Sequence, residues 1–233
     1  MQTLACASAV LAVVVAAAVC RREDRERFAV TAHDGRDGYK IFEMRNVLTA
    51  AECASLIEHA KRKGLSRSEV VSHDNDTGTA LDETTRKSRQ TWLSDDEHPA
   101  AKKMAAVSAD LTGISASHQE SLQVAMYAPR GMFTEHYDAC VSDDPSDCAK
   151  MNKGSGQRRA TLLVYLNDDF TGGETEFVNV GKKIHPETGK GILFWNTRDD
   201  ESLIPDSKHR GNPVLTGEKW IATKWTHQHT WPA

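Results

Sequence analysis

The sequence predicts an α+β domain in which helices come first and short strands follow. Two segments before Gly113 have apolar residues at helical spacing, each close to a capping signal. From Leu122 onward, short apolar or alternating segments are separated by turns that contain glycine or proline. This order is typical of α+β domains. The run of short strands favours a jelly-roll barrel, also called a double-stranded β-helix, with the N-terminal helices packed on one sheet.

Composition divides the 233 residues into three parts. Residues 1–20 include an uncharged, Ala- and Val-rich segment that is either a cleaved signal peptide or a membrane anchor. Residues 21–38 are charged and then rich in Gly and Asp, which predicts a linker. Residues 39–233 are predicted to fold as one domain with a buried core. The net charge of −4 gives no reason to expect a nucleic-acid partner.

The apolar segment, residues 4–20, predicts entry into the endoplasmic reticulum or secretory pathway, with possible membrane anchoring. Four arginines follow it: Arg21, Arg22, Arg25 and Arg27. In an anchored protein, such charges would hold the C-terminal side in the cytosol. The orientation therefore stays open, and the sequence gives no indication of the oligomeric state.

The cysteines leave one alternative open. Of five cysteines, only Cys140 and Cys148 share an irregular polar stretch in which a disulfide could close a loop. They form either that disulfide or two free thiols, and free thiols are the favoured interpretation. The sequence contains no CxxC pair, so a structural zinc site is not expected.

The N-terminal half of the domain is predicted to contain a strand, a helix, a strand and a second helix. The first strand covers residues 39–42, and the first helix follows a capping box formed by Thr49 and Glu52 and ends at Gly64. Residues 68–72 predict the next strand, followed by a polar loop. A second capping box, Ser94 with Glu97, predicts the start of the helix that ends before Gly113, with Pro99 in its first turn.

The C-terminal half is predicted to consist of strands. Alternation over residues 122–127 indicates a strand with one buried face, and residues 132–138 form the next one after a Pro-Arg-Gly turn. The acidic, then Gly- and Ser-rich segment 139–157 predicts a mobile loop. Further strands are predicted at residues 160–166, 175–177 and 191–195, with a final hairpin from 214 to 225.

A candidate metal site begins at the end of the strand 132–138. His136 and Asp138 have i, i+2 spacing, so on a strand their side chains point to the same face, with Tyr137 turned away. A third ligand from a distant strand would complete two histidines and one carboxylate, and His209 is the best candidate. That set suits Fe(II) and leaves coordination positions open.

A lysine is predicted to lie inside the same barrel. Lys219, Thr223 and Trp225 share one face of the last strand. A lysine on an inner face is costly unless it meets an anion, which a dicarboxylate ligand would supply. Tyr127 and Thr161 could add hydroxyl hydrogen bonds to that ligand.

Six motifs from residue 126 onward, in order and spacing, resemble the iron- and 2-oxoglutarate-dependent prolyl 4-hydroxylase family, especially its plant, algal and viral-type catalytic domains. The motifs are MYAPRGMFTEHYD, GQRRATLLVYLND, GGETEF, the Pro186 to Trp195 segment, H-x-G-x-P-V and GEKWIATKWTH. Another segment, RKSRQTW at 86–92, resembles the family's Arg-rich strand. The resemblance covers residues 39–229 and is strongest after residue 121.

The resemblance implies roles for single residues. His136, Asp138 and His209 match the iron ligands, and Lys219 matches the residue that pairs with the 5-carboxylate of 2-oxoglutarate. Tyr127 and Thr161 match its hydroxyl partners, and Trp225 matches a tryptophan in the same cavity. The implied reaction hydroxylates C4 of a peptidyl proline and converts 2-oxoglutarate and O₂ to succinate and CO₂, with L-ascorbate as reductant. An Ala or Gly in place of Asp138 would have indicated a halogenase.

Some features leave the substrate open. Lys208 and Arg210 stand where the family usually has apolar and small residues, and the segment 139–157 is acidic. Alternatives to a proline-containing peptide or protein are another residue type, a small molecule, or a catalytically silent barrel that binds metal or peptide. His227 and His229 form a rival i, i+2 pair, for which a solvated chain end is the favoured interpretation.

Overall fold

The computed structural model describes residues 28–71, 79–80, 82 and 84–232. The predicted signal peptide or anchor, residues 1–20, and residues 21–27 of the predicted linker lie outside this range. Within the described residues, no helix has the length and apolar character needed to span a bilayer.

Residues 28–38, assigned from the sequence to a linker, are instead folded. Phe28 is buried, and strand β1 (Thr31–Asp34) pairs antiparallel with β2 (Lys40–Met44). A 3₁₀ turn, Arg36–Gly38, joins the two strands. The described part of the domain therefore begins ahead of Tyr39, and β1 forms one edge of the main sheet.

Helix α1 (Ala50–Lys63) confirms the predicted capping box. The Thr49 hydroxyl accepts a hydrogen bond from the Glu52 backbone, and the Glu52 carboxylate accepts one from the Thr49 backbone. The helix ends at Gly64 and buries Cys53, Leu56 and Ala60 against the core.

Helix α2 (Pro99–Thr112) begins with a different cap from the predicted one. His98 is the N-cap, and its Nδ1 accepts a hydrogen bond from the Ala100 backbone. The Glu97 carboxylate accepts from the Ser94 backbone, but that contact lies in the turn before the helix, so the capping-box prediction was wrong here. Pro99 occupies the first turn as predicted, and Gly113 ends the helix in the left-handed conformation.

The main sheet has eight strands in the order β1-β2-β13-β9-β16-β7-β6-β3. The strands not yet given are β3 (Ser66–Arg67), β6 (Arg89–Leu93), β7 (Leu122–Tyr127), β9 (Arg158–Tyr165), β13 (Gly191–Trp195) and β16 (Lys219–His227). Helix α2 packs on this sheet, where the Ser108 and Thr226 hydroxyls lie 3.1 Å apart.

The second sheet has four strands in the order β12-β11-β14-β8. They are β8 (Phe133–His136), β11 (Thr175–Phe177), β12 (Lys182–Ile184) and β14 (His209–Gly211). Two short pairs complete the strands: β4 (Val70–Val71) with β5 (Thr79–Ala80), and β10 (Thr171–Gly172) with β15 (Val214–Thr216).

The two larger sheets meet through buried side chains. Phe177 of the small sheet packs edge-on against Phe194 of the main sheet, with ring centroids 4.9 Å apart. The Tyr165 hydroxyl donates to the Thr175 hydroxyl at 2.6 Å. The described strands thus form two layers over a shared core, with few helices; neither layer closes on itself within the described residues.

The segment 139–157, predicted as a mobile loop, contains helix α3 (Pro145–Met151). Asp144 caps this helix by accepting from the Ser146 backbone. Cys148 of this helix forms a disulfide with Cys140, so the interpretation that favoured free thiols was wrong. The Gln157 amide also bonds to both the N–H and the C=O of Cys140, which ties the start of the segment to the approach to β9.

Candidate active site

Three potential metal ligands converge where β8 and β14 pair. His136 ends β8 and lies directly opposite His209, the first residue of β14, while Asp138 follows just past the end of β8. The Asp138 Oδ1 atom is 3.6 Å from Nε2 of His136 and 4.0 Å from Nε2 of His209. All three donor atoms lie within 4.8 Å of one another. These separations exceed hydrogen-bond length and leave room for an ion between the groups.

Backbone carbonyls orient both imidazoles. The Nδ1 atom of His136 lies 2.8 Å from the Thr134 carbonyl, and that of His209 lies 2.9 Å from the Ser207 carbonyl. A carbonyl can only accept, so each Nδ1 carries the hydrogen. In a neutral imidazole of this tautomer, Nε2 presents a lone pair, as in metal-binding histidines, and here both Nε2 atoms face Asp138.

The Asp138 carboxylate is fixed by a hydrogen-bond chain on its other side. The Thr161 hydroxyl donates to Asp138 Oδ2 at 2.6 Å and accepts from the Asn196 amide at 2.9 Å. Burial alone would raise the pKa of Asp138, but the neighbouring His209 and His136 lower it well below its usual range. The carboxylate is therefore ionised, with Oδ1 directed at the two histidines.

The donor set fits Fe(II). Burial, and then the proximity of His136, lowers the pKa of His209 to about 4, so its imidazole is neutral at physiological pH. Two neutral imidazole nitrogens and one carboxylate oxygen on one side of a gap are the ligand set of non-haem Fe(II) oxygenases. Phe133 stacks on His136 with ring centroids 3.5 Å apart and restricts the rotation of that ring.

Lys219 lies in the same interior without an acceptor. It is 3% exposed, at the start of β16, and pairs in register with Tyr127 of β7. Its Nζ lies 5.4 Å from the Tyr127 ring centroid and 5.5 Å from that of Tyr165. No described residue accepts a hydrogen bond from it. Burial lowers the pKa of Lys219 to about 7, although Glu174 partly opposes the shift.

A single inner cavity between the sheets brings together every predicted site residue. Its lining includes His136, Asp138, His209, Lys219, Tyr127, Thr161 and Trp225. The structure differs from expectation at Thr161, whose only hydrogen already goes to Asp138. Its predicted contact with a cofactor stays a prediction, while its contact with Asp138 is observed.

An outer cleft of about 870 Å³ opens onto two of the three ligands, His136 and Asp138. Its walls carry three tryptophans, Trp92, Trp225 and Trp231, together with Tyr137 and the first residues after Asp138. Trp225 borders both cavities, and its indole N–H is buried without a hydrogen-bond partner among the described residues. The inner cavity suits a small anion, and the cleft has the size and aromatic lining of a site for a larger molecule.

Sequence reasoning missed a buried ionic cluster beside this cleft, which we call the outer cluster: Glu120, Arg158 and His227. Arg158 Nη2 donates to Glu120 Oε2 at 3.0 Å, and His227 Nε2 lies 2.8 Å from Glu120 Oε1. Burial would raise the pKa of Glu120, but Arg158 and His227 lower it to about 2. The Arg158 guanidinium also stacks on Trp225 at 4.0 Å from the ring centroid.

His227 and His229 do not form a metal pair. Both nitrogens of His227 have oxygen partners, Glu120 and the Gly156 carbonyl, and the residue is fully buried. His229 is exposed and lies 3.6 Å from Glu201. The solvated-end interpretation therefore holds for His229 and was wrong for His227.

Known proteins with similar sequences include 2OG-Fe(II) oxygenases. The sequence profile of the 2OG-Fe(II) oxygenase superfamily matches residues 122–227. A protein of Acanthamoeba polyphaga mimivirus named as a prolyl 4-hydroxylase is 34% identical over 187 residues, covering 80% of this chain and 73% of the relative. One of Arabidopsis thaliana, named as prolyl 4-hydroxylase 3, is 36% identical and covers 81% and 69%.

Among solved structures, the viral collagen prolyl hydroxylase of Paramecium bursaria Chlorella virus-1, in its 2OG complex, matches with a TM-score of 0.64 and 31% identity. The match covers 80% of this chain and 95% of that one. The chain belongs to the prolyl 4-hydroxylase family of 2OG-Fe(II) oxygenases. It spans little more than a third of an animal relative, covering 36% of the rat prolyl 4-hydroxylase subunit alpha-1 at 33% identity.

Proposed function

We propose that this chain is an Fe(II)- and 2-oxoglutarate-dependent dioxygenase that hydroxylates peptidyl proline at C4. The observation that carries the proposal is the ion-sized gap between His136, Asp138 and His209, beside a buried lysine for which the described residues provide no acceptor. The names of the viral and plant relatives support the substrate. We also infer that the two facing sheets are the double-stranded β-helix that the sequence predicts.

His136, Asp138 and His209 would hold the iron. When bound, Fe(II) with 2-oxoglutarate and O₂ supplies the oxidising power for hydroxylation, with release of succinate and CO₂. The protein contributes by fixing the ligands in advance: both histidines are tied to carbonyls, and Asp138 is tied to Thr161. L-ascorbate is the proposed reductant that keeps the iron ferrous.

Lys219 would hold the distal carboxylate of 2-oxoglutarate. An anion beside it favours the ammonium form, which burial alone disfavours. Tyr127, opposite Lys219 in register, is placed to add its hydroxyl to that carboxylate. Trp225, at the junction of the cavities, would separate cofactor from substrate and exclude water.

The outer cleft would bind the substrate chain. Aromatic-lined grooves recognise proline-rich segments because such segments are already extended and apolar. Three tryptophans and Tyr137 line the cleft, and the disulfide-bonded segment forms one wall. We further propose that residues 1–20 direct the chain to the secretory pathway, since a disulfide such as Cys140–Cys148 is typical of oxidising compartments.

The test is succinate release by the purified chain with Fe(II), ascorbate and 2-oxoglutarate. A Pro-rich peptide should accelerate release, and mass spectrometry should find one added oxygen on proline. The same peptide with alanine in place of proline is the control. Release that no peptide accelerates would favour a small-molecule substrate. A chain that binds metal but never releases succinate would favour a silent binding barrel.

A further inference from the structure

We propose that Arg36 is a positioning residue for the metal ligand His209, acting through Asp206. The inference rests on the proposed metal site. It concerns the N-terminal hairpin, β1 and β2, which the sequence assigned in part to a linker. The hairpin lies far from the triad in sequence, but its turn residue Arg36 contacts the Asp206 carboxylate, which belongs to the turn whose backbone orients His209.

The first contact is between Arg36 and a buried carboxylate. Asp206 is 3% exposed and lies in the 3₁₀ turn Pro205–Ser207. The Arg36 backbone N–H donates to Asp206 Oδ2 at 2.6 Å, and its Nε donates to Oδ1 at 2.8 Å; Nη2 also donates to Oδ1. Together they hold the pKa of Asp206 below its usual range despite burial.

The second contact connects that turn to the metal site. Ser207, the last residue of the turn, presents the carbonyl that accepts from Nδ1 of His209 at 2.9 Å. The ring direction of His209 therefore depends on where the Ser207 carbonyl is held. The Asn179 amide, bonded to the Pro205 carbonyl at 2.6 Å, also supports the turn. Arg36 thus shares this task rather than performing it alone.

The hairpin is shaped for this contact. A Cβ atom at Gly35 would lie 2.8 Å from Asp206 Oδ2 and 2.9 Å from the Tyr39 ring. Only glycine permits such a close approach of the chain to the carboxylate. Tyr39 is fixed in turn, because its hydroxyl donates to the Trp195 carbonyl at 3.0 Å. Gly35 and Tyr39 therefore fix the hairpin turn in the position from which Arg36 contacts Asp206.

Removing the guanidinium would leave the buried Asp206 with the Arg36 backbone N–H as its remaining partner from the hairpin. The carboxylate would move towards water and draw the turn with it, which misaligns the Ser207 carbonyl. Loss of groups that orient metal ligands typically weakens metal binding by roughly 10- to 100-fold. Because the Arg36 side chain is 64% exposed and the turn has other support, we expect the lower end, about tenfold.

The experiment measures Co(II) affinity of the metal-free full-length chain, using the visible absorbance of bound Co(II). Arg36→Ala and Asp206→Asn should each weaken binding about tenfold, and Arg36→Lys should recover part of the loss. The double variant should be no weaker than either single one, because both remove the same contact. Lys40→Ala is the matched control, since Lys40 pairs with Asp34 in the same hairpin but is not linked to the His209 turn.

Wild-type Co(II) affinity in Arg36→Ala, or an equal loss in Lys40→Ala, would overturn the inference. If Arg36→Ala does not fold, Asp206→Asn, which keeps the shape of the side chain, decides the question in the same way. A wild-type chain that binds no Co(II) at all would overturn the proposed function itself. The two failures are therefore distinguishable.

Discussion

The inner cavity and the outer cluster both contain a buried carboxylate next to histidine, yet they are built differently. In the outer cluster, Glu120 has complete partners, with Arg158 at 3.0 Å and His227 at 2.8 Å. In the inner cavity, the histidines stay 3.6 and 4.0 Å from Asp138 Oδ1. The first arrangement is closed by its own hydrogen bonds, whereas in the second three donor atoms face one another at distances too long for hydrogen bonds.

Two lysines of β16 repeat this contrast. Lys224 is 1% exposed and forms an ion pair with Asp95, while Lys219 is 3% exposed and has no acceptor among the described residues. A protein rarely buries a charge without a partner. The comparison supports the proposal that the triad and Lys219 serve a ligand, because burial and residue type are alike in each pair while the completeness of pairing differs.

The largest expected effect comes from breaking the incomplete site. His136→Ala removes one of three ligands, so metal binding and 2-oxoglutarate turnover should fall to background. The measurements are Co(II) titration and succinate release. His229→Ala, which removes an exposed histidine, should behave as wild type. Turnover that survives His136→Ala would show that the gap is not the metal site.

Breaking the complete cluster should instead affect stability. Arg158→Ala leaves Glu120 charged and buried, which typically costs about 3–5 kcal/mol of unfolding free energy. Urea denaturation of the metal-free chain measures this loss. Co(II) affinity of the folded variant should fall far less than in His136→Ala, because all three ligands remain and Arg158 meets them through a 3.5 Å hydrogen bond from Nη1 to the Asp138 carbonyl. A stability unchanged by the substitution would mean that the cluster is not closed as described.

Lys219→Met should weaken 2-oxoglutarate binding without destabilising the metal-free protein. The ammonium provides charge-assisted hydrogen bonds to the ligand worth about 1.5–3 kcal/mol, a loss of roughly 10- to 150-fold in affinity. The free protein loses no hydrogen bond, since no residue in the described part of the chain accepts one from Lys219, and it no longer buries a charge. Calorimetric titration and thermal unfolding measure the two effects. Unchanged affinity would contradict the assigned role of Lys219.

The smallest expected effect is a pH dependence of 2-oxoglutarate affinity that comes from Lys219. Its pKa is lowered from 10.5 to about 7 in the free protein, so the ammonium form is lost as pH rises above 7. The affinity for 2-oxoglutarate should therefore fall by about tenfold per pH unit above 7, until the pKa of the complex is reached.

The lowered pKa of Lys219 also makes the stability of the free protein depend on pH. Stability should rise with pH where the affinity for 2-oxoglutarate falls. Between about pH 7 and 10.5 the unfolded chain binds the proton that folded Lys219 has released, so the stability of the free protein should rise with pH across this window. Lys219→Met is the control for both measurements, because it should remove the Lys219 contribution to each profile. A pH dependence that persists in that variant would assign it to another group.

The sequence predicted the strands that bury one or both faces, because their side-chain pattern is set by the core. Residues 191–195 form β13 as predicted, and residues 122–127 form β7. The edge strand β1 was missed because its polar residues carry no such pattern. Helix α3 had a local signal, Asp144 followed by Pro145, that the acidic composition of the segment obscured.

The predicted site residues were found because their spacing or their place in motifs was informative. His136 and Asp138 are two residues apart, and Lys219 lies on the inward face of a regular strand. The outer cluster could not be predicted in the same way, since Glu120, Arg158 and His227 come from three distant segments. Their association depends on how β7, β9 and β16 pair, and that is visible only in the folded chain.

The disulfide has a practical consequence for biochemists who prepare this protein. Cys140 lies two positions after Asp138, so the covalent bond to Cys148 joins the cleft wall almost directly to Asp138. Protein made in a host that keeps thiols reduced would lack this tether. Preparations from reducing and oxidising hosts should therefore be compared before any peptide is judged a poor substrate.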